Sequence, residues 1–110
     1  MGLTGSAFII GRQLFLDTGG FDEDYFLYYE DADLSCRLRQ KSIEIVRAEN
    51  VQVRHKHSFS SSKIKRFYLQ RNRILFAVKN SKNTGITLLK LFVTDMLMMP
   101  IQALRQHSLA

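Results

Sequence analysis

The sequence is short of the residues that staple, break or span a fold. Its 110 residues contain one cysteine, Cys36, one proline, Pro100, and no tryptophan. A lone cysteine closes no internal disulfide and leaves no thiolate pair for a zinc site, so a reducing compartment is the default and Cys36 reads as a small apolar residue in a helix. No Pro- or Ser-rich linker divides the chain, and no internal repeat is visible. No run reaches the roughly 20 apolar residues of a membrane-spanning helix. The most apolar stretch, 88–101, is interrupted by Lys90 and Asp95. Nothing after Met1 pairs a basic segment with an apolar run of signal-peptide length, so no export leader is expected. What remains, 45% hydrophobic and 24% charged residues, suits one small globular domain.

Acids are the next scarcity, because they are confined to one part of the chain. Sixteen Lys and Arg against ten Asp and Glu give a net charge of +6. Nine of those ten acids lie within 17–49, whereas 50–94 holds ten Lys or Arg and no acid. A basic excess suggests an anionic partner such as nucleic acid, phosphate or an acidic membrane. The segregation also allows a carboxylate cluster opposite a cationic wall, as a metal and a phosphate would need; two solvated faces is the plainer reading.

Periodicity places the elements. Residues 5–10 read as a short buried strand and 12–18 as one or two helical turns ending at Gly19 and Gly20, where a left-handed cap costs little. The segment 21–29 is a loop dense in aromatics and acids. A helix is predicted over 30–41, with Glu30, Asp31 and Asp33 at its start, Arg37, Arg39 and Lys41 at its end, and an i,i+4 pair between Asp33 and Arg37. Residues 43–47 and 51–55 read as short strands, the second placing Val51, Val53 and His55 on one face. Serines at 60–62 can cap a helix running to about Asn80, whose apolar stripe of Ile64, Phe67, Tyr68, Leu75 and Val78 contains Arg71. After a turn at 83–85, residues 86–100 form an apolar helix that Pro100 should end or kink.

Four groups of residues could carry chemistry. Asp31 shares a helix face with Leu34 and Leu38 and follows the aromatic loop; a first-turn carboxylate also stabilises a helix without any chemistry. His55 and His57 have a His-x-His spacing able to hold a divalent metal, although a single satisfied or exposed histidine is the commoner case. Arg71 is either a phosphate fork or half of a structural pair. The aromatic loop could cradle a sugar or pack as core.

The order Gly5, Ser6, Ala7, then Gly19, Gly20, Phe21, Asp22, Glu23, Phe26, Tyr28, Glu30, Asp31, Asp33, Leu34, Arg37, Arg39 resembles the second half of family 2 glycosyltransferases, the rhamnosyltransferase-like branch above all. A histidine follows 24 residues after Asp31, and Tyr68, Arg71, Asn72 and Arg73 look like that family's downstream helix. Two positions depart from the pattern. Tyr29 stands where the family often has glycine, and Ser42 where it usually has glycine at the helix end.

The resemblance implies an α/β fold: part of a glycosyltransferase A fold, with a small mixed sheet flanked by helices. Residues 1–82 would be the C-terminal half of the transferase domain, with its acceptor side and general base, and 83–110 an apolar helical tail. The nucleotide-binding half and its Asp-x-Asp motif are not in this sequence, so the chain alone is expected to be inactive. The activity implied is inverting transfer of a sugar such as rhamnose from a nucleotide-diphosphate donor to a glycan or lipid-linked acceptor in surface polysaccharide synthesis. By the same likeness Asp31 is the general base and His55 a ligand to the divalent metal, Mg or Mn, of the complete enzyme. Phe26, Tyr28, Glu30 and Asp33 shape the acceptor or sugar pocket, and Arg71 serves the phosphate side. Partners would be the missing half or a second copy, with peripheral contact at the inner, cytoplasmic face of the membrane and no nucleic acid. The alternative is a non-catalytic basic module that binds nucleic acid or another anionic partner through the helix after Ser60.

Overall fold

The structure, a computed structural model, describes residues 2–56 and 62–107. Among these residues the elements are four α-helices, α1 (Arg12–Asp17), α2 (Glu30–Gln40), α3 (Ser62–Lys79) and α4 (Thr84–His107), and a 3-10 turn at Glu23–Tyr25. The helices fall where the apolar spacing placed them. The expected sheet does not form: among the described residues there is no strand, so the α/β assignment is corrected to an all-helical one. Residues 43–48 and 51–56, which cover two of the expected strands, belong to neither a helix nor a strand. A strand exists only when its backbone groups pair with a neighbour, and alternation encodes a face, not a partner.

The chain divides into two compact units, Met1–Arg73 and Ile74–Ala110, with the boundary inside α3. In the first unit the buried apolar residues are Tyr25, Leu34 and Leu38, and the buried polar ones are Thr18, Asp33, Ser35 and Asn72. Such a centre depends on satisfied hydrogen bonds as much as on apolar burial. α1 ends in a left-handed turn at Gly19 (φ 92°) and Gly20 (φ 62°), with Gly20 N donating to Phe15 O at 2.8 Å and Gly19 N to Leu16 O at 2.9 Å. α2 ends the same way without glycine. Ser42 (φ 58°) donates from its N–H to Arg39 O, and Ile43 from its own to Leu38 O.

α2 is tied to the chain before it. Arg37 donates from Nε to Asp33 Oδ2 at 2.8 Å, from Nη1 to Thr18 O at 2.6 Å and from Nη2 to Gly20 O at 2.7 Å. Ser35 Oγ donates to Asp31 O and accepts from Leu3 N, which lays the first residues along α2. Phe21 stacks edge-on against Phe8 and Phe15. The segments 2–4, 7–11 and 43–48, with Leu14, Leu38, Val51 and Val53, surround an open apolar cleft of about 960 Å³.

In the second unit Asn83 Oδ1 accepts from Ile86 N at 3.1 Å at the start of α4. α4 carries exposed Ile86, Leu89, Phe92, Met96, Leu97 and Met99. It continues through Pro100 to His107, so the proline, which removes one backbone donor, does not end the helix. Among the described residues no helix is long and apolar enough to cross a membrane.

Candidate functional site

Asp31 occupies the first turn of α2, half-buried, with its carboxylate fixed from two sides. Oδ2 accepts from Gly5 N at 2.9 Å, and Oδ1 accepts from Ala32 N at 2.8 Å. Each carboxylate oxygen has two lone-pair sites, so each retains one for a further donor. A Cβ at position 5 would make only ordinary contacts, 3.4 Å from Glu30 Oε1 and 3.6 Å from Asp31 Oδ2, so what this position supplies to Asp31 is its backbone N–H. An oriented carboxylate with spare acceptor capacity is the chemical requirement for taking a proton from a hydroxyl.

The preceding residue, Glu30, lines an open cleft of about 530 Å³ together with Phe21, Asp22, Glu23 and Phe26. Phe26 is 76% exposed. An exposed ring beside three carboxylates offers a stacking face and hydrogen-bond acceptors for a polyhydroxylated ligand. Glu30 Oε2 is buried without a hydrogen-bond partner, an acceptor that costs free energy while unmatched.

The other candidates separate. Asp33 is buried, with Oδ2 taken by Arg37 and Oδ1 3.4 Å from Tyr25 Oη. Its place is the centre of the first unit, one turn behind the cleft. Tyr28 is half-buried with φ 69°. His55 is exposed, and His57 lies outside the described residues. Among the described residues no three His, Cys, Asp or Glu side chains come together to hold a metal ion.

Arg71 donates from Nη1 to Asp24 O and to Asn72 Oδ1, both at 2.8 Å. It is exposed, whereas its neighbour Asn72 is fully buried. The polar residue turned inward from α3 is therefore Asn72. Asn72 Nδ2 donates to Tyr25 O, Leu27 O and Tyr28 O at 2.7, 2.6 and 2.8 Å. Sequence reasoning names Asn72 and Gly5 only as members of the resembling motif and assigns neither a role. Asparagine inside a helix is a poor helix former, which was the available signal for a buried polar role.

The loop that Asn72 holds is conformationally costly. Phe26, Tyr28 and Tyr29 have φ values of 58°, 69° and 72°. A non-glycine residue in this region costs about 1–2 kcal/mol. Both positions where the resemblance anticipated glycine, Tyr29 and Ser42, have positive φ, the backbone conformation that glycine adopts most readily.

Comparison with known proteins finds similarity to glycosyltransferases over part of the chain. Over 61 residues, 56% of its length, the chain is 38% identical to an N-acetylglucosaminyl-diphospho-decaprenol L-rhamnosyltransferase of Mycobacterium tuberculosis (strain CDC 1551 / Oshkosh). It is equally similar to the protein of the same name from strain ATCC 25618 / H37Rv. The matched stretch is 20% of each relative, so the chain spans about a fifth of their length. No family model and no solved structure matches. Partial similarity of this extent supports a glycosyltransferase-like function and leaves donor and acceptor open.

Proposed function

We propose that the chain forms the acceptor side of an inverting glycosyltransferase that moves a sugar such as rhamnose from a nucleotide-diphosphate donor to a glycan or lipid-linked acceptor. The observation that carries this reading is the Asp31 carboxylate, held by the Gly5 and Ala32 N–H groups with acceptor capacity to spare, in a chain partly similar to rhamnosyltransferases. An acceptor hydroxyl donates to Asp31 while its oxygen attacks the anomeric carbon. The carbon–oxygen bond to the diphosphate breaks, the proton passes to Asp31, and the nucleotide diphosphate leaves with the bonding pair. Phe26 and Tyr28 hold the acceptor ring, and Glu30 accepts from one of its hydroxyls. Arg71 meets the diphosphate with the guanidinium donors other than Nη1. The remaining residues of the site, including any that hold a metal, come from a further polypeptide segment or a second copy. The name of the relatives, N-acetylglucosaminyl-diphospho-decaprenol L-rhamnosyltransferase, supports the reading of a lipid-linked acceptor met at the inner, cytoplasmic face of the membrane.

The test is label transfer from thymidine and uridine diphosphate sugars to N-acetylglucosaminyl-diphospho-lipid, with and without added membrane extract. Asp31→Asn should lower transfer about 100-fold or more with an unchanged thermal midpoint. Equal transfer by wild type and Asp31→Asn, or no transfer under either condition, overturns the assignment.

A further inference from the structure

We infer that Asn72, with its amide oriented by Arg71, is a positioning residue for Asp31, acting by holding the loop 26–29, with its three positive-φ residues, in place. The inference rests on the reading of Asp31 as the proton acceptor, and its first readout is independent of that reading.

The loop cannot hold this shape on local preference. Three of its residues, Phe26, Tyr28 and Tyr29, carry side chains at positive φ, where only glycine is comfortable. Their conformation turns backbone carbonyls toward α3, and the side chain that meets them is Asn72, fully buried, whose Nδ2 reaches Tyr25 O, Leu27 O and Tyr28 O. Two N–H bonds shared among three carbonyls require a primary amide at this distance. Aspartate of the same size would set an acceptor against acceptors, and leucine would leave the carbonyls unsatisfied. Arg71 decides which way the amide faces. Its Nη1 donates to Asn72 Oδ1, so the nitrogen must point at the loop, and the same Nη1 ties Asp24 O to α3.

The loop then sets the start of α2. Tyr29, the last left-handed residue, is the N-cap, and its carbonyl accepts from Asp33 N at 2.9 Å. Asp31 follows two residues later. The rest of α2 is held separately by the burial of Leu34 and Leu38 and by Arg37 on Asp33, Thr18 and Gly20. Release of the clamp should therefore move the first turn of the helix and leave its body in place.

The Gly5 amide reports this directly, because it donates to Asp31 Oδ2 and has no hydrogen bond to Asn72. In the full-length chain, Asn72→Asp and the milder Asn72→Ser and Arg71→Ala should each speed hydrogen exchange of the Gly5 and loop 26–29 amides by about tenfold. The Leu34 and Leu38 amides should stay within about twofold, and Arg71→Lys, which keeps a donor, should restore most of the protection. Unchanged exchange at Gly5, or equal acceleration at Leu34 and Leu38, overturns the inference, the second outcome making Asn72 an ordinary core residue. Where Asn72→Asp does not fold, Asn72→Ser and Arg71→Ala decide the matter alone. In the transfer assay, the Asn72 variants should lose rate at saturating acceptor. Full transfer by Asp31→Asn removes the base reading, whereas an unmoved Gly5 amide removes the clamp.

Discussion

Residues 17–42 and residues 43–56 differ in how their backbone is held. In the first stretch every left-handed residue belongs to a described hydrogen-bonded turn or to the loop that Asn72 grips, and Arg37 alone reaches a carboxylate and two carbonyls. In the second, Val46, Val51 and Val53 are 76%, 64% and 61% exposed and the chain forms no helix or strand. The first holds costly conformations with polar groups; the second has a strand-like pattern and no ladder. Dense polar anchoring can hold a small unit with few apolar residues at its centre, whereas an alternating apolar pattern without a partner strand organises nothing by itself.

Substitutions at the two ends of this contrast should differ in size. Arg37→Leu should be the most damaging, since it leaves buried Asp33 without its cation and two carbonyls without their donor. A loss of about 3 kcal/mol in urea denaturation is expected, and a loss below about 1 kcal/mol would show the network to be dispensable. Gly20→Ala comes next. Its φ of 62° strains any side chain, and the added Cβ would sit 3.3 Å from the Phe15 ring. About 1–2 kcal/mol should be lost. Ser42→Gly is the converse, placing glycine at φ 58°, and should stabilise the chain by about 0.5–1 kcal/mol, read as a higher thermal midpoint. A destabilising Ser42→Gly would mean that the serine contributes something its backbone angle does not show. Val53→Lys, in the extended stretch, should change stability by less than about 0.5 kcal/mol. A large loss there would mean that 43–56 is held far more firmly than its exposure indicates.

The legible part of the site was the part whose signal is local. Asp31 and Glu30 stand out as acids at a helix start, the Asp33–Arg37 pair follows from i,i+4 spacing, and the Gly19–Gly20 cap follows from glycine itself. Arg71 interrupts the apolar stripe of α3. One residue further along, 100° around the helix, Asn72 is the side chain that enters the core. A periodicity argument cannot resolve neighbours on a face that is only partly buried, because Ile64 and Phe67 of the same stripe are themselves exposed. Gly5 was visible only as part of a motif, since its bond to Asp31 joins residues 26 positions apart.

By itself the sequence determined the four helices seen among the described residues, the approximate ends of the first three, the acidic start of α2 and the confinement of negative charge to one stretch, all of which are written in local composition. The tertiary structure alone decided that the alternating segments form no sheet and that Asn72 holds the aromatic loop. It also decided that Gly5 holds Asp31 and that Asp33 faces inward. The physical reason is one of range. Helical hydrogen bonds close over four residues and are written in local composition, whereas strand pairing and side-chain-to-carbonyl clamps join segments whose approach depends on how the whole unit packs.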